Sequence, residues 1–465
     1  VDPDELPATT SAGPHTTGLT TRQIRLLAIA IALFILSTII CSLAGLWRGY
    51  IDLQVYRNGA RVWLDGGNLY GPIAKVYGLE LPFTYPPLAA LFFAPLAVMH
   101  LYVAESLVLA LSIAILGMTV WLVSMQMRPR MATPTRLALV IGAVALLGLS
   151  EPIRQTYNFG QINLFLMAAV VLDALIRKPF WPRGMLIGIA LSIKLTPGGF
   201  LLYFLMRRDW RAALTVVVSA LVAVVVGFTL FPHDSSQYWF HTMLDTGRIG
   251  PPSYPGNQSL KGFMFRLGLP ASAATTVWIV LSLITIALAA VLMARLLRDA
   301  AQAESGGGAS EAPTWLREQP PPGPPGAPRN DPADAESIAP GAPAARIAAL
   351  TVNAAAILLV SPVSWSHHWV WVALAALVVA DAIDRGGRNR SFLLATAAIT
   401  VMFMVGPQWL LPHRNGLEHH WSLWEQLIGS SYVLVTFAVL AVATVAYRPI
   451  YRTATGLRNA ASAAE

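Results

Sequence analysis

Twelve apolar runs separated by short polar loops limit what this chain can become. They lie at 24–46, 88–99, 102–126, 136–150, 162–176, 185–206, 211–231, 272–297, 346–361, 369–382, 391–411 and 427–447. A soluble globule carries about 25% charged residues; this chain of 465 residues carries 12%, with 55% hydrophobic and a mean hydropathy of +0.57. The pattern predicts an all-α polytopic membrane protein with about 12 transmembrane segments, embedded among membrane lipids. Several runs are shorter than the ~20 residues of a perpendicular crossing, so they must extend into polar flanks or lie inside a bundle.

Charge fixes the expected orientation. The net charge of +8 could point to nucleic acid, but the arginines gather in short loops between apolar runs. That is the positive-inside arrangement and not a basic face, so no nucleic-acid partner is expected. Arg177, Lys178 and Arg183 precede the 185–206 run, and Arg207, Arg208 and Arg211 follow it. With both clusters cytoplasmic, the run is a hairpin that enters and leaves on one side. Lys194-Leu195-Thr196-Pro197 breaks it, because proline removes a backbone donor and disfavours helix before it. By the same logic 88–99 is a shallow segment of the first external loop. Arg128/Arg130/Arg136, Arg295/Arg298, Arg385/Arg388/Arg390, Arg448/Arg452 and both termini then fall in the cytoplasm of a plasma-membrane protein.

Five segments follow from composition. Residues 1–23 read as a disordered cytoplasmic N-terminus, 24–298 as a first membrane block and 346–447 as a second, with 448–465 a cytoplasmic tail. Residues 299–345, rich in Gly, Pro and Ala, read as a disordered cytoplasmic linker. The run at 24–46 exceeds a signal-peptide core and is read as an uncleaved helix. Cys41 is the single cysteine, which excludes an internal disulfide.

This orientation places the unusual polar residues outside, in loops at 48–87, 151–161 and 232–271 and in two later pieces, Ser361 to Trp369 and His413 to Trp424. ATP and nucleotide sugars are not expected there, so a group-transfer enzyme on that face needs a lipid-carried donor. Asp52, just past the first span, is either a helix-capping or solvated carboxylate, or a general base whose pKa partial burial would raise. Tyr56 stands one helical turn away, in a largely apolar loop. Aromatic residues interleaved with these groups can form an interfacial belt or hold sugar rings. His367 and His368 are adjacent and point to different faces, which suits phosphate contact or packing better than shared metal ligation. The D-x-D pattern Asp2-Pro3-Asp4 lies in the N-terminal tail, so neither a nucleotide sugar nor a required metal is expected, and no cofactor.

Several blocks occur in order: Ile51-Asp-Leu-Gln-Val-Tyr56, Leu81-Pro-Phe-Thr-Tyr-Pro-Pro87, Glu151-Pro-Ile-Arg154, Gly160-Gln-Ile-Asn163, Lys194-Leu-Thr-Pro197, Gly247-Arg248, Asn257-Gln-Ser259 and Ser361 to Trp371. Together they resemble the actinobacterial membrane mannosyltransferases that use polyprenyl-phosphate mannose. The resemblance implies a GT-C type fold, a catalytic aspartate at Asp52, and α-(1→2) transfer with inversion onto phosphatidylinositol mannosides or lipomannan. Polyprenyl-phosphate arabinofuranosyltransferases are the neighbouring alternative, and a lipid-linked sugar flippase is the rival of another class. Transporters place ionisable groups at mid-membrane, whereas these helix interiors are nearly free of charge. Under the transferase reading, His367 or His368 steadies the leaving lipid phosphate, with Arg248, Lys261 and Arg154 as further candidates. Gln161, Asn257 and Gln258 suit sugar hydroxyls, and Tyr85 and Trp365 suit a ring face. Lys194 reaches the site only if its hairpin is deep; otherwise it snorkels to the cytoplasmic interface.

Overall fold

The structure, a computed structural model, describes residues 18–308, 341–386, 389–413 and 415–447. All its regular elements are helices: α1 Thr21–Leu43, α2 Ile51–Leu64, α3 Leu88–Val98, α4 Leu101–Met127, α5 Thr133–Leu149, α6 Glu151–Phe159, α7 Asn163–Leu175, α8 Met185–Ile193 and α9 Leu201–Met206. There follow α10 Trp210–Leu230, α11 Pro232–Phe240, α12 Leu260–Arg266, α13 Ala271–Gly308, α14 Ala342–Val360, α15 Val372–Asp384, α16 Arg390–Val405, α17 Leu423–Gly429 and α18 Ser431–Val445. Each of the twelve apolar runs is helical. Among the described residues six helical stretches are long and apolar enough to cross a membrane alone, or eight if each of two bent pairs is one span. Four further apolar helices are shorter.

Composition explains the layers. α1, α10 and α13 expose Ile35, Leu36, Leu221, Val225 and Leu283 on their outer faces, a surface that lipid covers. α14 sits in the middle, with Ala344, Ala345, Ala348, Ala349 and Ala354 buried. Such small side chains let neighbouring backbones approach where lipid removes most of the hydrophobic drive. The same device joins α8 to α10. A Cβ on Gly188 would stand 2.6 Å from the Ser219 Cβ and 2.7 Å from the Val216 carbonyl oxygen.

The 185–206 segment folds back on itself. α8 starts beside α10, where Gly184 meets the Ala212 carbonyl and Val216, and α9 ends four residues before α10 begins. Between them Lys194 is extended (φ −150°, ψ 131°) and Thr196–Phe200 forms a 3-10 turn. The hairpin's two ends are therefore together, with Lys194 at its tip.

Two expected loops are largely helical. Residues 51–64 form α2. Residues 151–159 form α6, bent 81° from α5 at Ser150-Glu151-Pro152, where proline is tolerated because a first-turn N–H has no intrahelical partner. α13 continues to Gly308 and α14 begins at Ala342, so both edges of the 299–345 linker are helical; its remainder, residues 1–17 and the 448–465 tail lie outside the described residues.

Candidate active site

α2 carries Asp52 in its first turn, and its position is set from α6. The Asn158 side-chain oxygen accepts from Gly49 N–H (3.0 Å), and the Asn158 carbonyl accepts from Tyr50 N–H (2.5 Å). Gly160 ends α6 with φ +66°, and a Cβ there would lie 2.7 Å from the Leu53 Cβ. Only glycine serves both demands. The far side of α2 is tied to α3: Arg57 donates to the Leu96 and Met99 carbonyls and Arg61 to the Ala97 carbonyl at 3.2 Å. Both cations complete the C-terminal end of α3.

Asp52 then meets residues from three distant parts of the chain. Gln161 hydrogen-bonds its carboxylate, and Gln161 Oε1 accepts from the Tyr56 hydroxyl at 2.7 Å. The Tyr56 and Tyr85 hydroxyls are 3.1 Å apart. Lys194 Nζ lies 5.7 Å from the centre of the Tyr85 ring, donates to Asn163 Oδ1 at 3.0 Å and contacts His368 Nε2 at 3.0 Å. Burial raises the Asp52 pKa to about 6, against the opposing pull of Gln161 and the Lys194 charge. At neutral pH the carboxylate is therefore ionised in the main and basic enough to accept a proton. Burial, with the Asp52 charge nearby, pushes the Tyr85 phenol upward, so it remains a neutral hydroxyl.

The histidines sit on a 3-10 turn, Ser366–Trp371, held from several directions. The His367 carbonyl accepts from Thr156 Oγ1 (3.0 Å) and Asn163 Nδ2 (2.8 Å). An ammonium has no lone pair, so His368 Nε2 accepts from Lys194 and its proton is on Nδ1. Among the described residues, neither His368 Nδ1 nor His367 Nε2 has a hydrogen-bond partner, although both are buried. Unpaired buried polar atoms are costly, and here they sit beside the Lys194 charge. A phosphate oxygen would satisfy such donors.

The other predicted residues are placed elsewhere or used internally. Asn257 and Gln258 are fully buried. Asn257 Nδ2 donates to the Pro252 and Pro362 carbonyls, and Gln258 Nε2 to those of Pro255 and Gly429. With Gln258 N–H to Ser364 O (2.7 Å) and Ser366 N–H to Gly256 O (2.8 Å), they frame the histidine turn. Trp365 packs edge-on to Tyr254, 5.7 Å between centres. Arg248 donates to the Tyr70 carbonyl at 3.0 Å, and the Tyr70 hydroxyl in turn donates to the Tyr85 carbonyl. Arg248 therefore stands one residue behind the cluster. Lys261 lies over the Trp278 ring at 5.1 Å, and Arg154 reaches the Leu149 carbonyl at 3.4 Å.

Asn163 and Glu151 belong to ordered sequence blocks but were not singled out as contributors. Glu151 is fully buried and accepts from Ser366 Oγ (2.7 Å), Trp409 Nε1 (2.6 Å) and the Tyr432 hydroxyl (3.0 Å). Nothing local to Glu151 reveals three donors from the second membrane block. Among the described residues no group of three or more His, Cys, Asp or Glu could hold a metal ion.

The profile of glycosyltransferase family 87 matches residues 83–309. A polyprenol-phosphate-mannose-dependent α-(1-2)-phosphatidylinositol mannoside mannosyltransferase of Mycolicibacterium smegmatis is 38% identical, over 86% of this chain and 87% of that one. The chain belongs to glycosyltransferase family 87. The Mycobacterium tuberculosis protein of the same description is 36% identical to this family 87 enzyme over 84% of each chain. An α-(1->3)-arabinofuranosyltransferase of Corynebacterium glutamicum is 27% identical over 47% of the chain, a partial likeness. No solved structure matches. The resemblance drawn from the ordered blocks therefore holds, and the family 87 enzyme is a multi-pass membrane glycosyltransferase.

Proposed function

We propose that this family 87 enzyme transfers mannose from polyprenyl-phosphate mannose to a mannose hydroxyl of a phosphatidylinositol mannoside. It forms an α-(1→2) linkage with inversion, on the external face of the plasma membrane. The observation that carries the reading is the juxtaposition of Asp52 with Lys194 and the two unsatisfied histidine nitrogens. Asp52 takes the proton of the acceptor hydroxyl as its oxygen attacks the anomeric carbon. The bond to the lipid phosphate breaks on the opposite side, and the leaving phosphate carries away the electron pair. Lys194, His367 and His368 meet the growing negative charge, where preorganised donors act most strongly. Among the described residues of the cluster Asp52 is the one carboxylate, which suits a single displacement; a double displacement needs a second carboxylate as nucleophile. Tyr56, Tyr85 and Gln161 hold Asp52 and present hydroxyl and amide groups to sugar. Asn257 and Gln258 act as framework, and Arg248 supports Tyr70 and Tyr85. α7 begins at Asn163, which receives Lys194, and ends at Leu175 just before Arg177 and Arg183, which supports the external placement of Asp52.

The test is purified full-length protein in detergent with polyprenyl-phosphate mannose and a phosphatidylinositol mannoside acceptor. Product should form without two compartments, and Asp52→Asn should lower turnover at least about a hundredfold. Asp65→Asn, on an exposed residue of the same segment, should stay near the native rate. Product from the arabinofuranose donor alone would replace the donor sugar in this reading. Retention of more than a tenth of turnover by Asp52→Asn would remove Asp52 as the base.

A further inference from the structure

Glu151 is a fully buried carboxylate in the first turn of α6, and the proposed reaction does not use it. All three of its partners donate. Ser366 Oγ at 2.7 Å and Trp409 Nε1 at 2.6 Å share one oxygen, and the Tyr432 hydroxyl at 3.0 Å takes the other. The second membrane block closes tightly here, since a Cβ on Gly406 would stand 2.6 Å from the Glu151 Cγ. Ser366 is itself fully buried and directly precedes His367, at the start of the turn whose His368 contacts Lys194. An acceptor-only carboxylate with three converging donors holds a buried polar element in one position.

The rest of α6 extends the same device. Thr156 Oγ1 donates to the His367 carbonyl at 3.0 Å, and the Phe159 ring meets the His367 ring edge-on, 5.3 Å between centres. At the far end Asn158 and Gly160 set the start of α2, and with it Asp52. One helix of nine residues, roughly 13 Å long, therefore holds the histidine turn along its length and the base at its C-terminal end. Glutamine can replace most of the Glu151 contact. Its amide oxygen can still accept from Ser366 and Trp409, and its amide nitrogen can donate to the Tyr432 hydroxyl oxygen. Alanine keeps none of these bonds.

We infer, on the phosphate role proposed for the two histidines, that Glu151 is a positioning residue: through Ser366 it holds His367 and His368 where they meet the leaving phosphate. Purified full-length variants are compared by steady-state kinetics with polyprenyl-phosphate mannose and a phosphatidylinositol mannoside, and by thermal melts. Ser366→Ala removes one hydroxyl and should lower kcat about tenfold, the scale of one hydrogen bond to a charged group. The acceptor KM and the acid limb of the pH–rate profile should not move, because both belong to the Asp52 end of α6. Glu151→Ala should lower kcat further, and Glu151→Gln should recover most of that loss. With His367→Ala and His368→Ala already in place, Ser366→Ala should cost less than about threefold, since residues that act as one unit are not additive. A serine that only stabilised the fold would cost the same in both backgrounds. Ser366→Ala decides the matter even if Glu151→Ala folds poorly. Native kcat in Ser366→Ala, an equal cost in the two backgrounds, or a Glu151→Gln variant as inactive as Asp52→Asn would overturn the inference, the last by making Glu151 a proton acceptor. Asp52→Asn is assayed beside them: if it keeps its turnover, the base assignment fails, while the Ser366 comparison still judges the histidine turn.

Discussion

Asp52 and Lys194 set each other's chemistry. Since the Asp52 pKa is raised to about 6, kcat/KM should fall tenfold per unit as pH drops below about 6, because the protonated acid accepts nothing. A pH–rate profile of the purified enzyme checks this, and a flat profile from pH 5 to 7 would contradict it. The sign for stability is opposite to that of a salt-bridged carboxylate. A raised folded-state pKa means the ionised form is disfavoured by folding, so stability is highest below the unfolded pKa of 3.8. It declines as pH rises toward 6. Asp52→Asn should therefore melt no lower than the native protein at pH 7.5, separating lost chemistry from lost fold. Lys194→Gln should reduce transfer about a hundredfold through the leaving phosphate. It should also move the acid limb of the pH profile upward, because the Lys194 charge is one of the influences lowering the Asp52 pKa. A purely structural lysine would leave that limb in place.

At the scale of elements, the hairpin α8–α9 is what brings Lys194 to the site, and its depth rests on how closely α8 lies against α10. Gly188→Val places carbon where the Ser219 Cβ and the Val216 carbonyl stand, 2.6 and 2.7 Å from the ideal Cβ. Overpacking of this kind costs about 1–3 kcal/mol. We expect a lowered melting temperature and lost transfer. Gly142→Ala, on α5, meets only the Ala30 Cβ at 3.9 Å and should be neutral or slightly stabilising, since alanine is the better helix former. Thermal melts of the two variants in one detergent make the comparison. Helices were legible wherever hydrophobic runs were long. α6 was not, because its nine residues follow a bend at Pro152, bury polar Glu151 and Thr156 beside Ile153 and Tyr157, and contain too little apolar length to stand out.

For the whole molecule, the orientation is open to a direct test. Glu80 carries a side chain 78% exposed in the segment after α2, and Phe180 is 97% exposed in the loop between Arg177 and Arg183. In a Cys41→Ser background, Glu80→Cys should react with a membrane-impermeant thiol reagent in intact cells, and Phe180→Cys only after lysis. The reverse pattern would put Asp52 on the cytoplasmic side and remove the case for an external active site. Ser366, though nearer the histidines, is a poor reporter because it is fully buried against Glu151.

The sequence alone determined the class of molecule and the break at Lys194, and it made Asp52 a candidate base. Hydropathy, prolines and arginine clusters act over a few residues, and their free-energy consequences in a bilayer are local. Tertiary structure decided which polar side chains gather around Asp52 and Lys194 and which are consumed by the framework. Lys194 reaches His368, 174 residues away, and Glu151 reaches Tyr432, 281 residues away. Asn257 and Gln258 look like sugar ligands in the sequence because an amide can serve a hydroxyl or a backbone carbonyl equally well. Only the packed chain, by presenting the carbonyls of Pro362 and Gly429, selects between those partners.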